Sequence, residues 1–386
     1  MNMNPMVAQI QSLPDLIRGV VPIYHENIRR ILSREYCQSI RHVYLTGCGD
    51  SHHASIGTQL AFRKLTGITT EAMTSMQFAR YTADTLIEPK TCLVVGASVS
   101  GEVSRTVEGL LLARKAGAST LALTAAPVSR IARSADLVLN TTQPVFEGPP
   151  GMTIPGMRSF VANQVGLLLI AIHFGEQIGR LSASVAAQLR RELEDISNAV
   201  EETSRLNEEN AYSLAENWLD SGEFVFCGSG PNFASALFSA AKILEATGDP
   251  ALGQDLEEWA HLQYFAKRSD TPTFILSGGD RDLSRALEIV TAAQALGRRV
   301  ALIAPADRVT NIVAGVALLP ISSGIREMFS PLLTFIPASF FAAARADLMG
   351  EPYFRAFGGG RSQEGGGGIS RIRTSETLGL EYLQGE

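Results

Sequence analysis

The sequence repeats itself. Val43-Tyr44-Leu45-Thr46-Gly47-Cys48-Gly49-Asp50-Ser51 has a counterpart in Phe224-Val225-Phe226-Cys227-Gly228-Ser229-Gly230-Pro231-Asn232, and both read as a buried strand that breaks into a glycine turn before a helix. The apolar runs Thr91–Val95 and Thr120–Thr124 recur as Pro272–Leu276 and Val300–Ala304, about 180 residues further on. Such a repeat means one α/β module used twice, with strands alternating with helices in parallel sheets. A strand that ends in Gly-x-Gly ahead of a helix turns backbone amides and the helix N-terminus toward an anion. Ser51 adds a hydroxyl there, and Ser98 and Ser100 add two more after a second strand, so the expected ligand carries phosphate.

Composition narrows the class. With 386 residues, 45% hydrophobic and 19% charged, the chain is long enough for two domains with ordinary cores. A formal charge of -6 and the lack of a basic cluster argue against nucleic acid, whose backbone is normally met by grouped lysines and arginines. Cys48, Cys92 and Cys227 fall in or beside buried strands without CxxC spacing, and are expected as reduced core thiols of a cytoplasmic protein. Residues 1–18 lack the basic start and apolar run of a signal peptide, and no apolar run is long enough for a bilayer, so no membrane association is expected.

The chain divides into N-terminal helices (1–35), a first module (36–180), a helical linker (181–220), a second module (221–350) and a glycine-rich tail (351–386). Two helices are expected before residue 35, the second starting near Pro22 and both covering the first module. Strands at 43–46, 92–96, 120–124 and 136–140, with helices at 52–65 and 102–116, build the first module; 273–277 and 299–304, with helices at 231–246, 281–296 and 330–349, build the second. The Pro/Gly-rich stretch 144–157 is long for a connection and reads as a binding loop. Residues 358–368 hold seven glycines, a density that prevents regular structure and suits a loop ordered by ligand.

Two places carry chemistry-bearing residues. In Gly96-Ala97-Ser98-Val99-Ser100-Gly101-Glu102, two hydroxyls and the amides of Gly101 and Glu102 can meet one phosphate, although the residues alone equally fit a capping serine on a turn. In the second module, Lys242 and Glu245 share a helix face, and His261 follows on a short helix. A carboxylate and an imidazole from adjacent segments suit proton transfer on a sugar. Taken alone, Glu245 also fits a surface ion pair and His261 an interface histidine. Gly47-x-Gly49-x-x-His52 lacks the third glycine of a dinucleotide fingerprint, and the adjacent His52 and His53 point to different sides of a helix, so neither a nicotinamide cofactor nor a metal is expected.

Gly47-Cys48-Gly49-Asp50-Ser51, Ser98-Val99-Ser100-Gly101-Glu102 and the sixteen-residue step from Glu245 to His261 together resemble the sugar isomerase (SIS) domains of glucosamine-6-phosphate synthase's isomerase half and of the fructosamine-6-phosphate deglycases. The resemblance runs from about 36 to 350. It implies an α/β fold of two tandem SIS modules, each a parallel sheet flanked by helices in a flavodoxin-like three-layer sandwich. It also implies phosphate held by Ser51, Ser98 and Ser100, and Gly49 and Gly101 of the same turns are expected to bind it with them. Lys242, Glu245 and a ring-opening His261 would form the catalytic set, with the histidine lent by a neighbouring subunit of a homodimer. No metal or organic cofactor is implied.

The departures matter. Where the synthases read SQSGET, Val99 stands for the glutamine and Val103 for the threonine, with Ser104 as the nearest hydroxyl to compensate. The synthases' C-terminal lysine, which forms a Schiff base with the sugar, has no counterpart after Lys267, and no glutaminase segment precedes the repeat. The expected activity is therefore deglycation of a ketosamine (fructosamine) 6-phosphate. Phosphosugar isomerisation and amino-sugar-phosphate deamination are alternatives, as is regulation by phosphosugar binding without turnover.

Overall fold

The long apolar runs become the middle strands of two parallel sheets, as segments buried on both faces must. The structure, a computed structural model, describes residues 4–148, 154–309, 313–351 and 373–383. In chain order, α1 (Pro5–Gln11), α2 (Leu13–Ile31) and α3 (Arg34–Ser39) precede β1 (His42–Gly47), α4 (Asp50–Thr66), β2 (Thr69–Thr74), α5 (Ser75–Tyr81) and β3 (Cys92–Ala97). Next come α6 (Ser104–Ala116), β4 (Ser119–Thr124), α7 (Arg130–Ser134), β5 (Leu137–Asn140), α8 (Arg158–Gln177) and α9 (Ala183–Asn217). The second half comprises β6 (Phe224–Gly228), α10 (Pro231–Thr247), β7 (Ala251–Asp255), α11 (Leu256–Leu262), β8 (Thr273–Leu276) and α12 (Leu283–Ala295). It ends with β9 (Val300–Pro305), β10 (Ala317–Ile321), α13 (Pro331–Thr334) and α14 (Ile336–Met349).

The sheets have the orders β2-β1-β3-β4-β5 and β10-β9-β8-β6-β7, every pairing parallel. These are the same order read from opposite ends, and the repeat persists in the backbone. Gly49 and Gly230, the residues before α4 and α10, have φ/ψ of 55°/-130° and 54°/-128°. Only glycine reaches this conformation without strain, so the sequence repeat is a repeat of turn geometry.

Each sheet belongs to its own compact unit. The first unit takes the described residues of 16–145, 159–195 and 360–386, and the second those of 1–15, 146–158 and 196–359. In the first, Phe78, Cys92, Val94, Leu110, Leu112 and Ile131 pack on one face of the sheet. In the second, Val225, Trp259, Ile275, Ile289, Val290 and Leu302 do the same. Helix α1 packs with α14, where Asn4 Nδ2 donates to Ala343 O at 3.0 Å, so residues 4–11 join the second sheet's unit rather than the first's.

Several expectations change. Helix α2 runs through Pro22 instead of starting there, losing only the hydrogen bond that a residue with an N–H would have donated. Strands β2, β7 and β10 were not legible as strands. They are partly exposed edge strands whose backbones are held by their neighbours. The linker is one 35-residue helix, α9. The segments Arg158–Gln177 and Pro331–Met349 are long and apolar enough to cross a membrane, but 89% and 83% of their apolar windows are buried, which makes them core helices. The glycine run 358–368 lies outside the described residues. Beyond it, residues 373–383 lie along α6: Ser104 Oγ donates to Ser375 O, Arg105 to Thr377 O, and Lys115 Nζ to Leu380 O at 3.2 Å, while Leu378 packs on the core.

The turn after β1 leaves no room for a methyl group: a Cβ on Gly47 would lie 2.8 Å from the backbone carbon of Ser51. Gly47→Ala is expected to destabilise the protein by about 1–3 kcal/mol in urea unfolding. Gly222→Ala, where a Cβ would meet nothing within 4 Å, is expected to change stability little.

Candidate functional site

The order of the first sheet reverses between β1 and β3. At such a point the loops leaving the two strands diverge to opposite faces and open a crevice at the carboxyl ends. Gly47 stands opposite Ala97, so the Ser51 and Ser98–Ser100 turns leave the sheet at the same level. This register, with the glycine turns, puts the Ser51 and Ser98–Ser100 turns at the same end of neighbouring strands.

Ser51 lies in the first turn of α4, buried, and its Oγ accepts from Asn163 Nδ2 of α8 at 3.3 Å. Ser98 is 2% exposed, and its Oγ has no hydrogen-bond partner among the described residues. Its backbone N–H donates to Leu123 O at 3.0 Å, which anchors the turn on β4. Ser100 is exposed, its Oγ accepting from the amide of Glu102 at 3.4 Å. The amide of Gly101 donates to Ser98 O at 3.0 Å. The amides of Gly101 and Glu102, expected to face phosphate, therefore close the turn instead, and α6 begins only at Ser104. Gly101 shapes that turn with φ of +69°, and a Cβ there would collide with Ser129 Oγ.

Three polar residues were missed in the sequence. Asn163 and Gln164 are each 1% exposed inside an otherwise apolar helix, and that interruption was the available signal. Arg130, at the start of α7, donates its backbone N–H to Glu102 Oε1 at 3.1 Å and its guanidinium to Ser104 Oγ and Thr374 O, both at 3.4 Å. Nothing in its local sequence marks it. Ser104 is thus engaged by Arg130 and the C-terminal segment. Below the turn, Thr46, Ser75 and Thr106 form a buried chain of hydroxyls, with Ser75 Oγ and Thr106 Oγ1 2.9 Å apart.

In the second unit, Lys242 is fully buried, and its Nζ lies 2.7 Å from Glu245 Oε2 and 4.5 Å from the centroid of the Phe238 ring. Glu245 keeps 32% of its side chain exposed, so the buried ammonium holds a carboxylate that still reaches the surface. His261 is 66% exposed and pairs with Glu257 Oε1 at 3.3 Å. Within one chain the imidazole and Glu245 are not brought together. Helix α10 runs back antiparallel to β6 and carries Glu245 to the amino end of the sheet. Strand β7 then returns to the carboxyl end before α11 begins, a span of about 17 Å for five residues. Among the described residues no group of three or more His, Cys, Asp or Glu side chains is placed to hold a metal.

The second sheet reverses order between β6 and β8, and there the chain places acidic groups. Ser277 Oγ donates to Asp282 Oδ1 at 2.7 Å, and Arg281 Nε lies 3.0 Å from Glu327 Oε2. Burial, seconded by the charge of Glu327, pushes the Asp282 carboxyl up to about 6 against the lowering effect of the Ser277 hydrogen bond. The folded chain then holds that proton more tightly than the unfolded one. The corresponding stability is complete below the ordinary carboxylate range and is lost as pH rises through about 6. Asp282→Asn is expected to stabilise the protein at pH 7 by about 1–3 kcal/mol and to remove this slope between about pH 4 and 6, read from urea unfolding across that range.

A family model for the SIS domain matches residues 37–153. A glutamine–fructose-6-phosphate aminotransferase of Gloeobacter violaceus is 27% identical over 350 residues, which cover 89% of this chain and 56% of that protein. The chain thus spans about half the length of the curated relatives it matches. Among solved structures, the C-terminal domain of glucosamine-fructose-6-phosphate aminotransferase from Francisella tularensis superimposes with a TM-score of 0.77 at 19% identity, over 90% of this chain and 96% of that one. A glucosamine-6-phosphate deaminase from Thermotoga maritima gives 0.66 at 18% identity, over 91% and 97%. Residues 37–153 match the SIS domain, the chain is similar over most of its length to the glutamine–fructose-6-phosphate aminotransferases, and its two parallel five-stranded sheets match the fold of tandem SIS modules.

Proposed function

We propose that the protein is a phosphosugar-processing enzyme of the SIS type, acting at C1 and C2 of a 6-phosphorylated sugar derivative, and that its reaction is deglycation of a ketosamine 6-phosphate. The observation that carries the reading is Ser98: a hydroxyl 2% exposed and unpartnered among the described residues, at a sheet's switch point. A buried hydroxyl without a partner costs roughly 1–3 kcal/mol, which a phosphate oxygen would recover. Ser51 and Ser100 complete the phosphate set, with Gly49 and Gly101 giving the turns their shape.

The chemistry follows from the second unit. His261 opens the sugar ring. Glu245 takes a proton from C1 and returns it to C2 while the amine's N–H proton passes to O2, so the C2 carbonyl becomes an alcohol and the C1–N bond an imine. Water then hydrolyses the imine to a hexose 6-phosphate and the free amine. Lys242, paired with Glu245 at 2.7 Å, holds that carboxylate in place. A ketosamine already carries nitrogen at C1, so the reaction needs only this proton transfer and hydrolysis. The separation of Glu245 and His261 within a chain, and the exposure of His261, favour an imidazole lent by a second copy, in a homodimer with shared sites.

Turnover followed by mass spectrometry with a panel of phosphorylated sugars and ketosamines tests the reaction. The expected products from fructosamine 6-phosphate are hexose 6-phosphate and free amine. Interconversion of fructose and glucose phosphates alone would replace this with an isomerase, and ammonia from glucosamine 6-phosphate would replace it with a deaminase. Tight binding without turnover would make the protein a phosphosugar sensor. Glu245→Gln and His261→Asn should each lower turnover by about two or more orders of magnitude while still binding substrate. Mixing the two inactive chains should restore part of the activity through hybrid dimers, and a fully active monomer would contradict the shared site.

A further inference from the structure

The two switch points differ in a way that sets the number of ligands. Register places Asn232 where the first module has Ser51, and Ser277 where it has Ser98. Gly47 stands opposite Ala97 as Gly228 stands opposite Leu276. The amide of Ser98 donates to Leu123 O, and that of Ser277 to Ile303 O at 2.9 Å. The second module therefore has the backbone of the first module's cradle.

Its polar groups are already engaged by the chain's own carboxylates. Ser98 Oγ has no partner among the described residues, whereas Ser277 Oγ donates to Asp282 Oδ1 at 2.7 Å and accepts from the amide of Gly279 at 3.0 Å. On the other turn, Ser229 Oγ donates to Asp255 Oδ2 at 3.0 Å. Asn232 is fully buried, and Ser330 and Thr334 hold its Oδ1 at 3.0 and 2.9 Å. That leaves its Nδ2 turned to the Asp282 side of the turn, without closing a hydrogen bond. Two carboxylates, Asp282 and Glu327, face this crevice, and Arg281 offsets the second.

We propose that the Asp282 carboxylate occupies, in the second module, the place a ligand phosphate takes in the first, so that the chain binds one phosphate and carries a second anion site sealed by its own side chain. This rests on the reading of the first module's turns as a phosphate cradle. The seal excludes phosphate twice over, filling the hydrogen-bonding position and repelling a second anion.

Binding of inorganic phosphate to the full-length chain, counted by isothermal titration calorimetry, tests it. The wild type should take one phosphate per chain and Asp282→Ala two. The added phosphate should persist when Ser98→Ala and Ser100→Ala are also present, and disappear with Ser277→Ala. A folded Asp282→Ala that still takes one, or a wild type that already takes two, overturns the proposal. A wild type that takes none while Asp282→Ala takes one would instead remove the phosphate reading of the first module and leave the seal standing. Should Asp282→Ala fail to fold, Asp282→Ser, which removes the carboxylate, keeps a small polar residue before α12 and is too short to hold the Ser277 hydroxyl, is read in the same way, and a folded Asp282→Ser with no added phosphate overturns it.

Discussion

The parallel pairing of β1 with β3 is the interaction on which the rest depends. Because the strands run the same way and Gly47 is level with Ala97, their carboxyl ends stop together and their loops part to opposite faces. Everything that could meet a phosphate is placed by that one register. The glycine at φ of 55° then turns the chain sharply enough for Ser51 to enter the first turn of α4 beside the Ser98 loop.

Duplication gave the chain this device twice, and side chains made the copies unlike. The first copy presents a Ser98 hydroxyl without a hydrogen-bond partner among the described residues. The second closes on itself, with Ser277 bound to Asp282 and Ser229 to Asp255. Backbone geometry is the shared inheritance, since Gly49 and Gly230 differ by a degree or two. Burying Asp282 near Glu327 raises its proton affinity, a cost that an apolar or neutral residue would not incur.

The acid and base candidates obey a different constraint. A helix that follows a parallel strand must run back along the sheet, so residues late in α10 and residues just after β7 lie at opposite ends of the strands. Lys242 and Glu245 therefore meet each other at 2.7 Å, while His261 meets Glu257. Reading Glu245 and His261 as neighbours because both lie within one short stretch overlooks the strand between them.

Periodicity and composition determined the architecture, because a parallel sheet buried on both faces needs continuous apolar runs such as Leu93–Val95 and Leu302–Ala304, and a strand-to-helix turn of this kind needs glycine. The edge strands β2, β7 and β10 were not legible, since their partners' backbones rather than their side chains hold them. The sequence also singled out Ser51, Ser98 and Ser100, because hydroxyls beside glycine turns are a local pattern. Only the tertiary structure decided that the Gly101 and Glu102 amides are consumed within the turn. It alone showed that Asn163 reaches Ser51 from α8, that Arg130 reaches Glu102 and Ser104 from α7, and that Ser277 bonds Asp282 in the second copy. Each of these is a hydrogen bond or ion pair whose geometry depends on how the turn closes and on which distant element packs beside it, and no local spacing encodes that.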